Sequence, residues 1–323
     1  MGTIKRVYHF ATEPDFVEWF VNTSNADAWS HNSDNDDPIP DSIRRVQADQ
    51  IPDHLQSVYD NAKAGKSESE QATIRNILYE YQDVFSKDET DLGRTNLAEH
   101  SIDTGDHPPI KQPPRRVPTA LAHEEKGAIE KMLAQNVIRE SKSPWASPIV
   151  LVKKKSGSIR ACVDYRRINS ITRKDAYPIP RAQDCLDALS GSEVFSTVDM
   201  TSGFYQVPIR EEDIPKTAFI TKHGLYEYTV MAMGLSNSPS MFQRIMELAM
   251  RGLQWIACLI YLDDVIIFGR NFEEHANRLR SVLDRIRKAG LKLKPEKCEL
   301  FQLQVRFLGH IVSAAGIKPD PAN

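Results

Sequence analysis

The sequence predicts an α+β fold, and three observations carry that prediction. Apolar runs rich in β-branched and aromatic residues gather in the second half of the chain, the longest at 258–269. Segments with apolar residues at helical spacing lie among them, at 121–135, 238–253 and 271–290. At 323 residues and 41 % hydrophobic, the chain can bury one large domain with subdomains plus some additional material.

Taken from the N-terminus, residues 1–92 read differently from the rest. The stretch 22–41 is crowded with Asn, Ser, Asp and Pro and offers little to bury, which predicts a linker and a partly disordered extension. Spaced apolar positions at 53–59 and 69–85, among them Ile74, Ile77, Leu78, Tyr81, Val84 and Phe85, predict a short and a longer amphipathic helix without assigned chemistry. Asp103-Thr-Gly105 carries the tripeptide of a protease aspartate. The Pro-rich segment 106–114 that follows favours an extended arm over the apolar strands such a site needs.

A helix with Ile129, Met132 and Leu133 then leads into strands at 149–153 and 158–164, joined by the basic loop Lys154-Lys-Ser-Gly157. Ser238-Pro239 reads as an N-cap with Pro in the first turn, opening a helix that buries Phe242, Ile245, Met246, Ala249 and Leu253. Asn271 and Glu274 give a capping-box-like start to another, closed by Arg287, Lys288 and Gly290. Further strands are predicted at 298–302 and 305–312.

Charge and cysteine usage narrow the function classes. The net charge is −3, but acidic residues outnumber basic ones about two to one in residues 1–100, which leaves a basic remainder suited to nucleic acid. Cys162, Cys185, Cys258 and Cys298 are widely spaced, which suggests neither a zinc site nor a disulfide framework. No secretory segment and no uninterrupted membrane-length apolar run is present, so a soluble intracellular chain is expected.

The chemistry concentrates where charge interrupts apolar sequence. In Tyr261-Leu-Asp-Asp264, two carboxylates fall between two buried strands, and a hairpin with Asp263 and Asp264 at its tip is the expected geometry. Asp suits turns on its own account, yet adjacent like charges raise each other's cost of ionisation, which favours a nearby cation. Asp199 closes the β-type run 195–200 and equally needs a partner. Together the three make an acidic cluster able to hold two hard divalent ions on oxygen ligands, the arrangement of two-metal phosphoryl transfer.

These motifs resemble the reverse transcriptases of gypsy-type LTR retrotransposons. The resemblance spans roughly 93–321: Ser147-Pro-Ile-Val-Leu-Val-Lys-Lys-Lys155, Arg160-Ala-Cys-Val-Asp-Tyr-Arg-Arg-Ile-Asn169, Tyr177-Pro-Ile-Pro180, Val198-Asp-Met-Thr-Ser-Gly-Phe-Tyr-Gln206, Gly234-Leu-Ser-Asn-Ser-Pro239, the acidic hairpin and Phe307-Leu-Gly-His310 follow in the family's order. It implies a right-hand polymerase fold, with fingers and palm in 93–323 (core 134–313), residues 1–92 as an N-terminal extension, and thumb and RNase H absent from the chain. The implied activity is RNA-directed DNA synthesis with Mg²⁺, or Mn²⁺, on Asp199, Asp263 and Asp264. Lys153, Lys154, Lys155, Arg160, Phe204 and Met233 would bind the dNTP, Arg160 as a phosphate fork and Phe204 as a steric gate against the 2′-hydroxyl. Met231-Ala-Met-Gly234 departs from the family's usual Pro and aromatic or Gln before the Gly. Arg166, Gln243, Tyr261, Leu308 and Gly309 would meet template and primer. Implied partners are an RNA template, a DNA or tRNA primer, and the protease, RNase H and integrase segments of a Pol polyprotein, in cytoplasmic virus-like particles or the nucleus. The non-enzymatic alternative is a decayed or domesticated copy that only binds nucleic acid.

Overall fold

Period-two alternation explains why the strands around the acidic pair are apolar throughout. In this computed structural model, which describes residues 51–153 and 159–321, β4 (Val194–Asp199), β7 (Cys258–Tyr261), β8 (Asp264–Gly269) and β9 (Glu299–Gln302) form a four-stranded sheet of order β7-β8-β4-β9. Val194, Val198, Cys258, Ile260, Val265 and Ile267 enter one core. Their alternates Phe195, Leu259, Ile266 and Phe268 enter another on the opposite face. With both faces buried, β7 and β8 are apolar between the two aspartates' turn and their far ends, β4 interrupts its apolar run only with Ser196 and Thr197, and a carboxylate is tolerated only at a strand end.

The first of these cores is closed by helices. α6 (Ser238–Ala249) contributes Phe242, Ile245 and Met246, and α7 (Phe272–Lys288) contributes Leu279, Leu283 and Ile286. Asn271 caps α7 by accepting from Glu274 N at 2.9 Å, as the sequence predicts. In α6 the cap position falls to Asn237 instead. Ser238 is the first helical residue and donates to Ala232 O at 3.0 Å, so it ties the helix to the preceding loop.

Two further helices complete the same core, and they revise the expected boundary at 92. α1 (Gln56–Ala62) and α2 (Glu68–Glu80) form as predicted, α2 behind a complete capping box of Ser67 and Glu70. They are not an appendage: Leu55, Val58, Ile74, Ile77, Leu78, Val84 and Phe85 are buried in one cluster with Ile286, Leu293 and Phe301. Phe85 pairs with Leu293, which pairs in turn with Met200. The predicted linker at 22–41 lies outside the described residues.

The second subdomain, where the resemblance places the fingers, is a five-stranded sheet of order β1-β6-β5-β2-β3. Its strands are β1 (Ile138–Glu140), β2 (Ser147–Lys153), β3 (Ile159–Val163), β5 (Phe219–Thr221) and β6 (Gly224–Tyr228). α3 (Ala122–Ala134) packs on it through Ile129 and Met132, with Trp145, Tyr165, Phe219 and Tyr228 in the same core. The segment around Asp103 is an extended arm: His100 N donates to Pro208 O and Arg210 N to His100 O, while Asp103 accepts from Arg173 N. The protease reading therefore falls, since no strands flank the tripeptide.

The predicted strand at 305–312 is broken in two. β10 (Gln304–Phe307) and β11 (His310–Ser313) pair across Leu308 and Gly309, at φ 48° and 74°, and β12 (Gly316–Pro319) adds a third strand. Among the described residues no helix is long and apolar enough to cross a membrane.

Candidate active site

Strand register brings the acidic residues together. Asp199, the last residue of β4, lies directly opposite Asp264 across the antiparallel ladder, and Asp264 faces Tyr261 in the β7–β8 hairpin. The turn therefore consists of Leu262 and Asp263 alone, and Asp264 is not at its tip as expected but at the start of β8. Alternation places Asp199 and Asp264 on the sheet face that packs against Phe307 and Leu308. A cleft of about 350 Å³ results, lined by Asp199, Asp264, Lys297, Phe307, Leu308 and Gly309.

The electrostatics of this cleft are strained in one direction. Asp264 is pushed above the usual carboxylate range, chiefly by desolvation, then by Asp263 and Asp199, with Lys297 opposing. Like charges opposite each other in a ladder repel, and a cation relieves them. Lys297 partly serves: its Nζ lies 2.8 Å from Asp199 Oδ2. It sits on a short 3-10 turn, Pro295–Lys297, beyond a strap laid along the end of β4, where Lys294 N donates to Asp199 O at 2.9 Å and Thr201 N to Lys292 O at 3.0 Å. No local pattern marks Lys297, since a lysine in a charged segment is normally solvated.

The donor set suits a hard divalent cation, because every candidate ligand is a carboxylate oxygen and Asp264 carries a cost that a cation would remove. Among the described residues, however, no three such groups are drawn together tightly enough to hold a metal as they stand. Lys297 would have to release Asp199 first.

Two buried glutamines fix the segments that carry these carboxylates. Gln206, fully buried, donates from Nε2 to Thr201 O (2.8 Å) and Lys292 O (2.9 Å) and accepts from Lys292 N at 2.7 Å, binding the strap to the loop after Asp199. Gln243 was expected to border the template; the structure corrects this. It is fully buried, accepts from Leu262 N at 2.6 Å and donates to Ile260 O at 3.2 Å, so it holds the acidic turn from behind.

The remaining predicted residues divide. Leu308 and Gly309 line the carboxylate cleft, and Tyr261 packs half-buried against the same apolar cluster as Leu308. Arg160 is exposed on β3 and lines a neighbouring cavity of about 630 Å³ with Lys131, Ser202, Tyr205 and Lys294. Phe204, on the 3-10 turn Gly203–Gln206, is half-buried and packs edge-on against Phe242 at 5.5 Å. A Cβ at Gly203 would lie 2.8 Å from Phe242 Cζ, so glycine is required for that approach. Met233 is 42 % exposed, and no contact places it with the carboxylates. Arg166 is committed to Asp164 at 2.7–2.8 Å. Lys154, Lys155 and the Lys153 side chain lie outside what the structure describes.

A sheet with paired aspartates at its strand ends, flanked by a helix-backed core and a second subdomain bearing an exposed arginine, defines the palm and fingers of a right-hand polymerase. Solved structures agree. The foamy viral protease-reverse transcriptase in complex with an RNA/DNA hybrid superposes with a TM-score of 0.77 at 22 % identity, covering 90 % of this chain and 38 % of that one. The same enzyme in complex with dsDNA gives 0.76 at 23 %, covering 90 % and 58 %. Residues 152–312 match the family described as reverse transcriptase (RNA-dependent DNA polymerase). The retrovirus-related Pol polyprotein from transposon 297 of Drosophila melanogaster is 39 % identical over 262 residues, 79 % of this chain and 25 % of that protein. The one from transposon opus of the same species is 36 % identical over 256 residues, 78 % and 26 %. The chain thus spans about a quarter of the length of these relatives. It belongs to the reverse transcriptases of LTR-retrotransposon Pol polyproteins.

Proposed function

We propose that this chain is an RNA-directed DNA polymerase that adds dNTP to a primer 3′-hydroxyl on an RNA template during retrotransposon replication. The observation that carries the reading is the register of Asp199 against Asp264, with Asp263 adjacent in the turn and the Leu308–Gly309 hairpin walling the same cleft. In the reaction the primer 3′ oxygen bonds to the α-phosphorus of the dNTP and the bond to pyrophosphate breaks. Asp199, Asp263 and Asp264 would hold Mg²⁺, which when bound activates the hydroxyl and stabilises the leaving oxygens.

The chain's own residues supply the rest. Lys297 holds Asp199 by charge until a cation takes its place. Arg160 and the basic loop at 153–155 would neutralise the triphosphate, Arg160 from the cavity it shares with Ser202. Phe204, pinned by Phe242, would exclude a 2′-hydroxyl. Leu308 and Gly309 would bear on the primer end. DNA or tRNA primers and the other Pol segments are the proposed partners, in cytoplasmic particles.

The test is extension of oligo(dT) on poly(rA) with dTTP and Mg²⁺. Incorporation that is lost in Asp263→Asn and Asp199→Asn is expected. A folded chain that binds the hybrid but incorporates nothing would replace this reading with that of a binding module.

A further inference from the structure

A chain of side-chain hydrogen bonds runs from the surface segment 173–181 to the acidic turn. Tyr177 donates its hydroxyl to Glu247 Oε2 at 2.5 Å; Gln243 donates Nε2 to Glu247 Oε1 at 2.7 Å; and Gln243 Oε1 receives the amide of Leu262 at 2.6 Å. Tyr177 is itself held. The Arg244 guanidinium lies over its ring at 4.4 Å and pairs with Asp175 at 2.9 Å, and Asp175 also accepts from Tyr177 N at 3.0 Å.

At the far end of this chain the backbone is strained. A two-residue hairpin turn favours Gly where φ is positive, yet Leu262 occupies that conformation at φ 57°. Its amide finds its partner in Gln243, not in the hairpin. That bond depends on which way the Gln243 amide faces. Flipped, its NH₂ would meet the Leu262 N–H and its oxygen the Ile260 carbonyl, two repulsive pairs. A carboxylate only accepts, so Glu247, one turn further along α6, admits only the NH₂ on its side.

We propose that Glu247 is a positioning residue for the polymerase site: it sets the orientation of the Gln243 amide, and through it the left-handed Leu262 that places Asp263 and Asp264. The proposal rests on the polymerase reading for its consequence in turnover, but not for its structural content. Glu247 touches neither carboxylate, and nothing in the sequence distinguishes it from any other helix-surface glutamate.

The experiment uses the full chain and three single variants, Glu247→Leu, Glu247→Gln and Gln243→Leu, with the double Leu variant. Hydrogen exchange at the Leu262 amide reads the relay without turnover. In Glu247→Leu it should rise about tenfold or more, while β4 amides stay unchanged. Glu247→Gln should rise less than about threefold, because its oxygen can still face Gln243 and its NH₂ the Tyr177 oxygen. In primer extension, Glu247→Leu should lower kcat about tenfold with the dNTP KM within about twofold, and the double variant should be no slower than Gln243→Leu alone. Unchanged Leu262 exchange in Glu247→Leu, or additive losses in the double variant, would overturn the proposal. Failure of the wild-type chain to extend primers would instead defeat the polymerase reading and leave the exchange result to decide the relay.

Discussion

Asp264 shows how a single side chain records the purpose of its surroundings. Its carboxyl holds a proton more tightly in the folded chain than unfolded, because desolvation, Asp263 and Asp199 all disfavour the anion. The native state therefore binds more protons than the unfolded one above the ordinary carboxylate value, and stability falls as pH rises through that window. Asp264→Asn should accordingly raise the melting temperature of the metal-free chain at neutral pH and abolish extension. A lower melting temperature would mean that Asp264 is a structural partner. Phe204→Ala should increase rNTP use relative to dNTP use; an unchanged ratio of efficiencies would reduce Phe204 to packing on Phe242. All three aspartates were legible in the sequence, since charge inside an apolar run is a local signal. Lys297, Gln206, Glu247 and the true task of Gln243 were not, because each acts through partners 17 to 98 residues away or through its own helical turn, which no spacing encodes.

At the scale of elements, hydrophobic periodicity located the longer helices and most strands, missed the six-residue helices α4 (Arg166–Ile171) and α5 (Ala182–Asp187), which are too short to show a period, and failed where backbone conformation decides. The break at Leu308 and Gly309 lies inside a run whose apolar pattern reads as continuous. α1 and α2 were legible as helices but not as parts of the palm, because which core an apolar face joins is set by tertiary contacts. Their attachment is extensive: Arg287 pairs with Asp83 and lies over the Tyr81 ring at 4.5 Å, and Ser86 Oγ donates to Thr201 Oγ1 at 2.7 Å, two residues beyond Asp199. Ile77→Ala or Phe85→Ala should therefore cost about 2–5 kcal/mol of the stability of the whole palm, in one denaturant transition followed equally by probes in α2 and in the β7–β8 hairpin. Two separate transitions, with the hairpin unaffected, would make the N-terminal helices an appendage after all.

Across the whole molecule, the fingers and palm each contain a histidine that must stay neutral for the fold to persist. His100, 2 % exposed beside the fingers core, is lowered to about 4 by burial, against the opposing pull of Asp213 and Asp175. His275, fully buried in α7 against Phe301, is lowered to about 3, again by burial first. Both values lie below the unfolded one of 6.5. The unfolded chain therefore binds more protons in this interval, and stability is complete above pH 6.5 and declines as pH falls toward 4 and then 3. The effect is on the order of 3 kcal/mol for His100 at full development, enough to matter in a domain of ordinary marginal stability. Asp264 acts with the opposite sign, and Asp164, lowered to about 2 chiefly by its bond to Arg166, loses its contribution only below the ordinary carboxylate value of 3.8. Of the groups named here that lose stability on acidification, the histidines therefore act first, between pH 6.5 and 4.5. Denaturant unfolding at pH 7.0, 5.5 and 4.5 should show a steady loss in the wild type that is reduced in His100→Asn and reduced further when His275→Phe is added. A double variant that loses stability over this interval as steeply as the wild type would assign the acid sensitivity to carboxylates instead.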